Sequence, residues 1–267
     1  MKQVSDYLKL KEIGKVYTRG SSEQVILSNL NFGIVEKEFV CIMGPSGCGK
    51  STLLKIMGGI EQPTVGEITL KNSTYSNGIP KNVLKDFGYV FQNHNLLEWR
   101  TVEKNLQLPL EIFKLRGESW KKRIDEMLEL VGLLEYKRVY PHELSGGMKQ
   151  RVGIARALVH DPEVLLMDQP FGALDAITRH MLAVETLSIW KKTHKTLVMV
   201  TNSVEEALLV SQRVLMMDHS GQIIEEIQND IPLSERNDAL ALNPRYNVLR
   251  DHMNKIVHET NQYGGDA

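Results

Sequence analysis

Eight consecutive residues, Gly44-Pro45-Ser46-Gly47-Cys48-Gly49-Lys50-Ser51, carry the spacing G-x-x-x-x-G-K-S. They follow a compact apolar run, Phe39-Val40-Cys41-Ile42-Met43, and lead into a helical stretch from Lys50 to about Met57. Glycines let successive backbone N–H groups turn inward around phosphate oxygens, and the helix N-terminus adds partial positive charge. In that frame Lys50 reaches the β- and γ-phosphates, Ser51 offers a hydroxyl to Mg²⁺, and Thr52 lies on the α-phosphate side. Pro45, Ser46 and Cys48 complete the loop, and Cys48 has a bland reading as a small filler residue. The glycine spacing is not G-x-G-x-x-G, which disfavours a dinucleotide site or a kinase loop. A chance match of this kind is expected in roughly one per cent of such chains, and the strand-before, helix-after context lowers that further. The pattern predicts a site for a nucleoside triphosphate.

Such a loop needs a buried strand before it and a sheet around it. Val164-Leu165-Leu166-Met167 and Thr196-Leu197-Val198-Met199-Val200 are further continuous apolar runs, with a helical pattern over 176–192 between them. Strand, helix and strand of this kind predict a parallel sheet covered on both faces. Val214-Leu215-Met216-Met217 and 222–227 read as a hairpin around His219-Ser220-Gly221 that closes the sheet. Partial alternation from Tyr7 to Val35 predicts half-buried antiparallel strands joined by a loop. Between Asn93 and Leu158 helical spacing dominates, over 101–113, 120–131 and 150–159. Residues 259–267 are polar and read as frayed. The expected architecture is an α/β core with a parallel sheet, N-terminal antiparallel strands and a helical insert. Its divisions are a discontinuous core of 1–92 and 160–228, a helical subdomain of 93–159 and a C-terminal tail of 229–267.

A second motif, Leu144-Ser145-Gly146-Gly147-Met148-Lys149-Gln150-Arg151, resembles the signature of ATP-binding-cassette (ABC) ATPases. It lies between the phosphate loop and Val164-Leu165-Leu166-Met167-Asp168, in the family's order, and the resemblance covers the chain from Leu8 to about Ile227. It implies that Tyr17 stacks on adenine, although an aromatic there can simply pack. It makes Gln92 the Q-loop glutamine and Asp168 the residue that holds Mg²⁺ through water. Ser51, Gln92 and Asp168 together would organise that ion. Gly172-Ala173-Leu174-Asp175 resembles the D-loop. Ser145, Gly146 and Gly147 open a helix, and in this family that anion site faces the γ-phosphate held by the other subunit's phosphate loop. ATP with Mg²⁺, a second ATPase subunit (identical or homologous), transmembrane permease subunits and an extracytoplasmic solute-binding protein are therefore implied. The implied place is the cytoplasmic face of the membrane. Phe91-Gln92-Asn93-His94-Asn95-Leu96-Leu97-Glu98-Trp99 and the tail Asn243-Pro244-Arg245-Tyr246 most resemble importer subunits of the nitrate, sulfonate, taurine and bicarbonate group.

Two positions depart from the family. The residue after Asp168 is ordinarily the glutamate that polarises the attacking water, and here it is Gln169. An amide can hydrogen-bond a water but cannot accept its proton near neutral pH. The histidine that contacts the γ-phosphate is replaced by Asn202, within Thr201-Asn202-Ser203. Binding motifs are intact while both hydrolytic positions are altered. Three arrangements accommodate this: the altered half of a heterodimer, a homodimer with slow hydrolysis, or a Gln169 introduced to trap the ATP-bound state. A nucleotide-dependent regulatory module with little hydrolysis is the alternative function, and a soluble ABC protein outside transport is a third.

Composition narrows the rest. Lys+Arg 32 against Asp+Glu 33 leaves a net charge of −1, so no basic field favours nucleic acid. The two cysteines, Cys41 and Cys48, are too few for a disulfide scaffold. The eight histidines show no metal-ligand spacing. No stretch reaches the roughly 18 apolar residues of a membrane span, and the N-terminus lacks a secretory pattern. Trp120-Lys121-Lys122-Arg123 reads as a solvated helix face, with lipid or partner contact as the sharper alternative.

Overall fold

The structure, a computed structural model, describes residues 6–20, 22–115 and 119–262. In chain order it opens with strands β1 (Leu8–Arg19), β2 (Ser22–Ile34) and β3 (Phe39–Met43), helix α1 (Lys50–Met57), and strands β4 (Val65–Leu70) and β5 (Ser73–Tyr75). Next come β6 (Phe87–Val90), α2 (Val102–Ile112), α3 (Ser119–Leu130), α4 (Gly146–Leu158), β7 (Val164–Asp168) and α5 (Ala176–Thr193). The chain then runs through β8 (Thr196–Val200), α6 (Val204–Val210), β9 (Arg213–Met217), β10 (Ile223–Gln228) and α7 (Pro244–Gln262). Two compact units divide it: Met1–Leu84 with Thr196–Ala267, and Lys85–Lys195.

In the first unit β1 and β2 pair antiparallel from Leu8↔Ile34 to Arg19↔Ser22, and β4 lies along the other side of β1 with Leu10 opposite Ile68. This is the half-buried antiparallel layer that the alternation predicts: Leu27, Leu30, Phe32 and Ile34 of β2 are buried while the residues between them are more open. In the same unit β3 pairs parallel with β8 on one side and with β9 on the other, and β10 closes against β9 as the expected antiparallel hairpin. All five positions of β3, of β8 and of β9 are buried. Continuous apolar strands need cover on both faces, which is why these runs do not alternate. The buried Arg213 is admitted to β9 because Glu38 at 2.8 Å and Glu226 at 2.8 Å neutralise it.

Helix α7, which lies within the C-terminal tail of the sequence reading, packs against α6. Tyr246, Leu249, Met253 and Ile256 are its buried residues, and spacings of three and four place them on one face. The expectation of a frayed end is overturned for 259–262, which are helical, and 263–267 lie outside the described residues.

In the second unit β6 and β7 pair parallel, from Phe87↔Val164 to Val90↔Met167. Gly88 has no substitute there, because a Cβ would sit 2.3 Å from the Ala157 carbonyl oxygen. Helices α2, α3 and α4 pack on one another and form the predicted helical insert. Arg123, read from sequence as part of a solvated run, instead fastens α3 to the end of α4 by donating to the Val159 carbonyl at 3.2 Å.

Candidate functional site

The phosphate loop joins β3 to α1. Gly47 and Gly49 have φ of +83° and +100°, a region that L side chains rarely adopt. Gly49 is constrained twice, since a Cβ would also meet Leu27 Cδ2 at 2.6 Å and the Ile26 carbonyl oxygen at 2.9 Å. The loop begins equally tightly: a Cβ on Gly44 would lie 2.6 Å from the Met217 carbonyl oxygen. Gly49 caps α1 without a side-chain hydrogen bond, and the first turn contains no acidic residue. In contrast, Thr101, Ser145, Asp175 and Ser203 cap α2, α4, α5 and α6 with their side chains. The partial positive charge of the α1 N-terminus thus faces this loop with no acidic side chain in the first turn to oppose an anion. Lys50 is buried, and its ammonium donates to the Gly44 carbonyl at 2.7 Å and the Pro45 carbonyl at 2.6 Å. Cys48 Sγ lies 3.8 Å from the same ammonium, and burial pushes its thiol above the ordinary value.

Tyr17 sits on β1, opposite Gln24 of β2, with its ring 40 % exposed. It does not simply pack. Lys15 Nζ lies 4.9 Å from the ring centroid, and the phenol donates to Glu61, which pairs with Lys15 at 3.1 Å. Burial raises the Tyr17 pKa first, the Glu61 carboxylate adds to that, and a hydrogen bond with Thr52 opposes it. Tyr17 and Thr52 are thus brought together, while Glu61 escapes sequence reasoning because nothing local marks it.

Asn202 follows β8, the parallel neighbour of the strand that feeds the phosphate loop, and it is exposed. Its neighbours are fixed by polar links the sequence reading misses. The Thr201 hydroxyl donates to the buried Glu206 carboxylate, the Ser203 amide donates to Thr201 Oγ1 at 3.1 Å, and Ser203 Oγ caps α6 through the Glu206 amide at 3.2 Å. The one signal for this was the spacing Ser203-x-x-Glu206, which has capping-box form.

In the second unit Ser145 is the N-cap of α4, so the signature serine and glycines open this helix and Gly146 and Gly147 lie in its first turn. Ser145 Oγ accepts from the Met148 amide at 3.3 Å, which leaves its own hydrogen to donate elsewhere. Gly146 and Gly147 abut the D-loop and α5: their missing Cβ atoms would lie 3.3 Å from Leu174 Cδ2 and 3.0 Å from Thr178 Cγ2. Asp168 ends β7 and is buried at 7 % exposure. Its charge, after burial, contributes to pushing the neighbouring Tyr89 phenol up. Gln169 comes next with φ +42°, a left-handed conformation that costs a straight-chain residue about 1–3 kcal/mol. Its carbonyl accepts from the Gly172 amide at 3.1 Å. Gln92 lies just beyond β6 in an exposed loop. Among the described residues, no group of three or more His, Cys, Asp or Glu side chains could hold a metal by itself.

Comparison with known proteins places this geometry. Residues 27–172 match the ABC transporter family. The chain is 42 % identical over 228 residues to an uncharacterised ABC transporter ATP-binding protein of Methanocaldococcus jannaschii, covering 84 % of this chain and 82 % of that protein. It is 40 % identical over 224 residues to an aliphatic sulfonates import ATP-binding protein of Bacillus cereus strain ZK, covering 84 % and 86 %. A nitrate import ATP-binding protein of Synechococcus elongatus is 40 % identical over 245 residues, covering 89 % and 86 %. A dimeric solved structure of a bacterial ABC transporter cassette shares 37 % identity and a TM-score of 0.74, covering 84 % of this chain and all of that one. A matching cassette has been solved with ADP and phosphate bound, in a post-hydrolysis state. Since the matched span takes in more than half of the chain and both nucleotide motifs, this protein belongs to the ABC transporter ATP-binding family and is an ABC-type P-loop ATPase.

Proposed function

We propose that this chain is the ATP-binding subunit of an importer, seated on the cytoplasmic face of a membrane beneath permease subunits. The observation that carries nucleotide binding is the loop that opens α1, with two left-handed glycines, a buried lysine and no acidic residue in the helix's first turn. Relatives named for nitrate and aliphatic sulfonate import support the transport role. No helix among the described residues is long and apolar enough to cross a membrane, so translocation would fall to other subunits.

Each residue has a role in this reading. Tyr17 stacks on the base, and the backbone of 44–49 with Lys50, Ser51 and Thr52 holds the phosphates. Ser51, Gln92 and Asp168 offer hard oxygen ligands of the kind Mg²⁺ prefers, and with so few protein donors the phosphates would complete its shell. Bound there, Mg²⁺ would neutralise phosphate charge. Ser145, Gly146 and Gly147 meet the γ-phosphate held by a second ATPase subunit, identical or homologous, so that ATP binding closes a dimer. A solute-binding protein outside the membrane would deliver the solute.

Gln169 and Asn202 stand where the general base and the γ-phosphate contact are expected, without a proton acceptor or an imidazole. They favour one second reading, a nucleotide-dependent regulatory module with little hydrolysis of its own. Native mass spectrometry of the complex drawn from its own membranes through this chain tests the importer reading, and ATP turnover in that assembled complex separates it from the second. Recovery with a polytopic membrane protein and ATP-dependent closure supports the importer reading. Recovery of this chain alone or with soluble partners would overturn it.

A further inference from the structure

A cleft of about 520 Å³ opens in the second unit, between the end of α2, the start of α3 and the turn that follows α4. That volume lies in the usual range of small-molecule sites. Its walls include Leu110, Val159 and the ring of Trp120, with Arg123, His160 and Asp161 around them. Two of these residues keep a buried polar atom that has no hydrogen-bond partner among the described residues: Trp120 Nε1 and His160 Nδ1. The two are complementary. An indole N–H can only donate. His160 Nε2 donates to the Phe87 carbonyl at 3.0 Å, which leaves Nδ1 of the neutral ring to accept. Burial favours that neutral ring by holding its pKa below the ordinary value. Buried polar atoms are ordinarily paired. One donor and one acceptor left over on residues of the same cleft therefore offer a ligand hydrogen bonds as well as apolar contact.

The charged residues decide what charge the ligand carries. Arg123 meets Asp161 at 3.3 Å and Glu126 at 3.8 Å, and Lys122 meets Glu126 at 3.8 Å. Lys195 is tied to Asp161 at 2.8 Å. Each cation is already opposed by a carboxylate, and each carboxylate by a cation, so neither an anion nor a cation finds an unopposed partner. We infer that this cleft is a site for a small, uncharged ring compound with one hydrogen-bond acceptor and one donor, of which an aromatic carboxamide is the simplest representative. The acceptor takes the Trp120 N–H, the donor bonds His160 Nδ1, and the ring lies against Leu110 and Val159. Both nitrogens lie beneath the surface of the cleft, so the half-buried Trp120 and His160 rings turn slightly as the ligand enters. The site is at the far end of α4 from Ser145, about 20 Å along the axis, and is separate from the signature. It uses no nucleotide, so its test does not depend on the importer reading.

Benzamide is the probe, titrated into the ¹⁵N-labelled full-length chain while the indole N–H resonances of the three tryptophans are followed. The resonance missing from Trp120→Phe identifies Trp120. In the wild type it should shift saturably, with a Kd of about 1 mM, the scale a ligand this small reaches. Benzoate carries a charge and lacks the donor, and toluene lacks both polar groups. Each should bind at least about fivefold more weakly, the worth of one net hydrogen bond. Trp120→Phe, read by saturation transfer to benzamide, should lose about fivefold to tenfold in affinity. A Trp120 resonance that stays still, or that moves without saturating below about 20 mM, would overturn the inference. So would benzoate binding as tightly as benzamide, which makes the cleft an anion site, or toluene doing so, which leaves only an apolar crevice. The three-ligand comparison uses the wild-type chain and decides the matter even where Trp120→Phe fails to fold.

Discussion

Lys50 Nζ donates to the carbonyl of Gly44, 2.7 Å away at the other end of the same loop. The ammonium closes a ring of backbone before any phosphate arrives, so its position is set by the loop and needs little rearrangement on binding. Lys50→Met removes a charge-assisted bond to phosphate, and ATP should bind roughly 10- to 100-fold more weakly by calorimetry. Gly49→Ala should be worse for folding, because φ +100° and the 2.6 Å approach to Leu27 leave no room. A loss of about 1–3 kcal/mol in urea unfolding is the expected result.

Gln169→Glu restores a carboxylate next to Asp168. If the chain's own site is otherwise competent, ATPase activity should rise by about 10²–10⁴-fold, the usual scale of a general base. Asn202→His alone should raise it less, since Asn202 can already donate a hydrogen bond. No rise in either variant or in their combination would point to hydrolysis in a partner's site. Steady-state phosphate release from the assembled complex is the measurement.

His160 gives a pH dependence. Its Nε2 donates to the Phe87 carbonyl at 3.0 Å, its ring lies 5.0 Å from that of Phe113, and burial holds its pKa below the ordinary 6.5. The unfolded chain therefore takes up a proton near pH 6.5 while the folded chain stays neutral. Stability falls as pH drops below that value and levels off once the folded histidine also titrates. His160→Gln keeps a donor for Phe87 without the charge. Between pH 7.5 and 5.5 its urea midpoint should fall less than that of the wild type, and parallel curves would refute the assignment.

Arg236 holds the chain after β10 in place. Its guanidinium is buried, donates to the carbonyls of Ser211, Asn229 and Ile231, and burial lowers its pKa to about 10. Arg236→Met leaves those carbonyls short of a donor and should cost about 3 kcal/mol or more. In a chain of this size that lowers Tm by roughly 6–12 °C. Arg236→Lys should recover only part of it, because one ammonium cannot replace the planar fork.

Trp99→Ala separates display from folding. An exposed side chain contributes little to stability, so the urea midpoint should move by no more than about 0.5 kcal/mol. A tryptophan at the centre of an interface is commonly worth about 2 kcal/mol or more, so if the permease subunits of the proposed importer seat on this exposed side chain, their recovery with the variant should fall by at least about tenfold. Unchanged recovery would place the partner elsewhere.

The motifs that name the site were legible because their physics is local. Glycines at 44, 47 and 49 are needed by the turn they make, and Lys50 and Ser51 by the helix that starts there. Signature residues 145–147 are likewise the cap and first turn of their own helix. The continuous apolar runs of β3, β7 and β8 announced buried parallel strands, and the hairpin at 214–227 followed from its turn. Helix α7 was legible in principle, since Tyr246, Leu249, Met253 and Ile256 hold helical spacing, but its polar remainder hid it. Strand β6 was not, because four residues around Gly88 become a strand only when distant β7 lies alongside to pair with them.

What the tertiary structure alone decided are the links between distant residues. Glu61 reaches Tyr17 across 44 positions, Gln150 reaches His94 across 56, and Glu38 meets Arg213 across 175. A polar side chain in a sequence carries no mark of whether it will be buried or what will satisfy it. That is settled only when two elements pack and the low dielectric between them obliges each buried group to find a partner. The sequence by itself thus determined that the chain grips a nucleotide and to which family it belongs. The packing of elements decided which unremarkable residues hold that grip in shape.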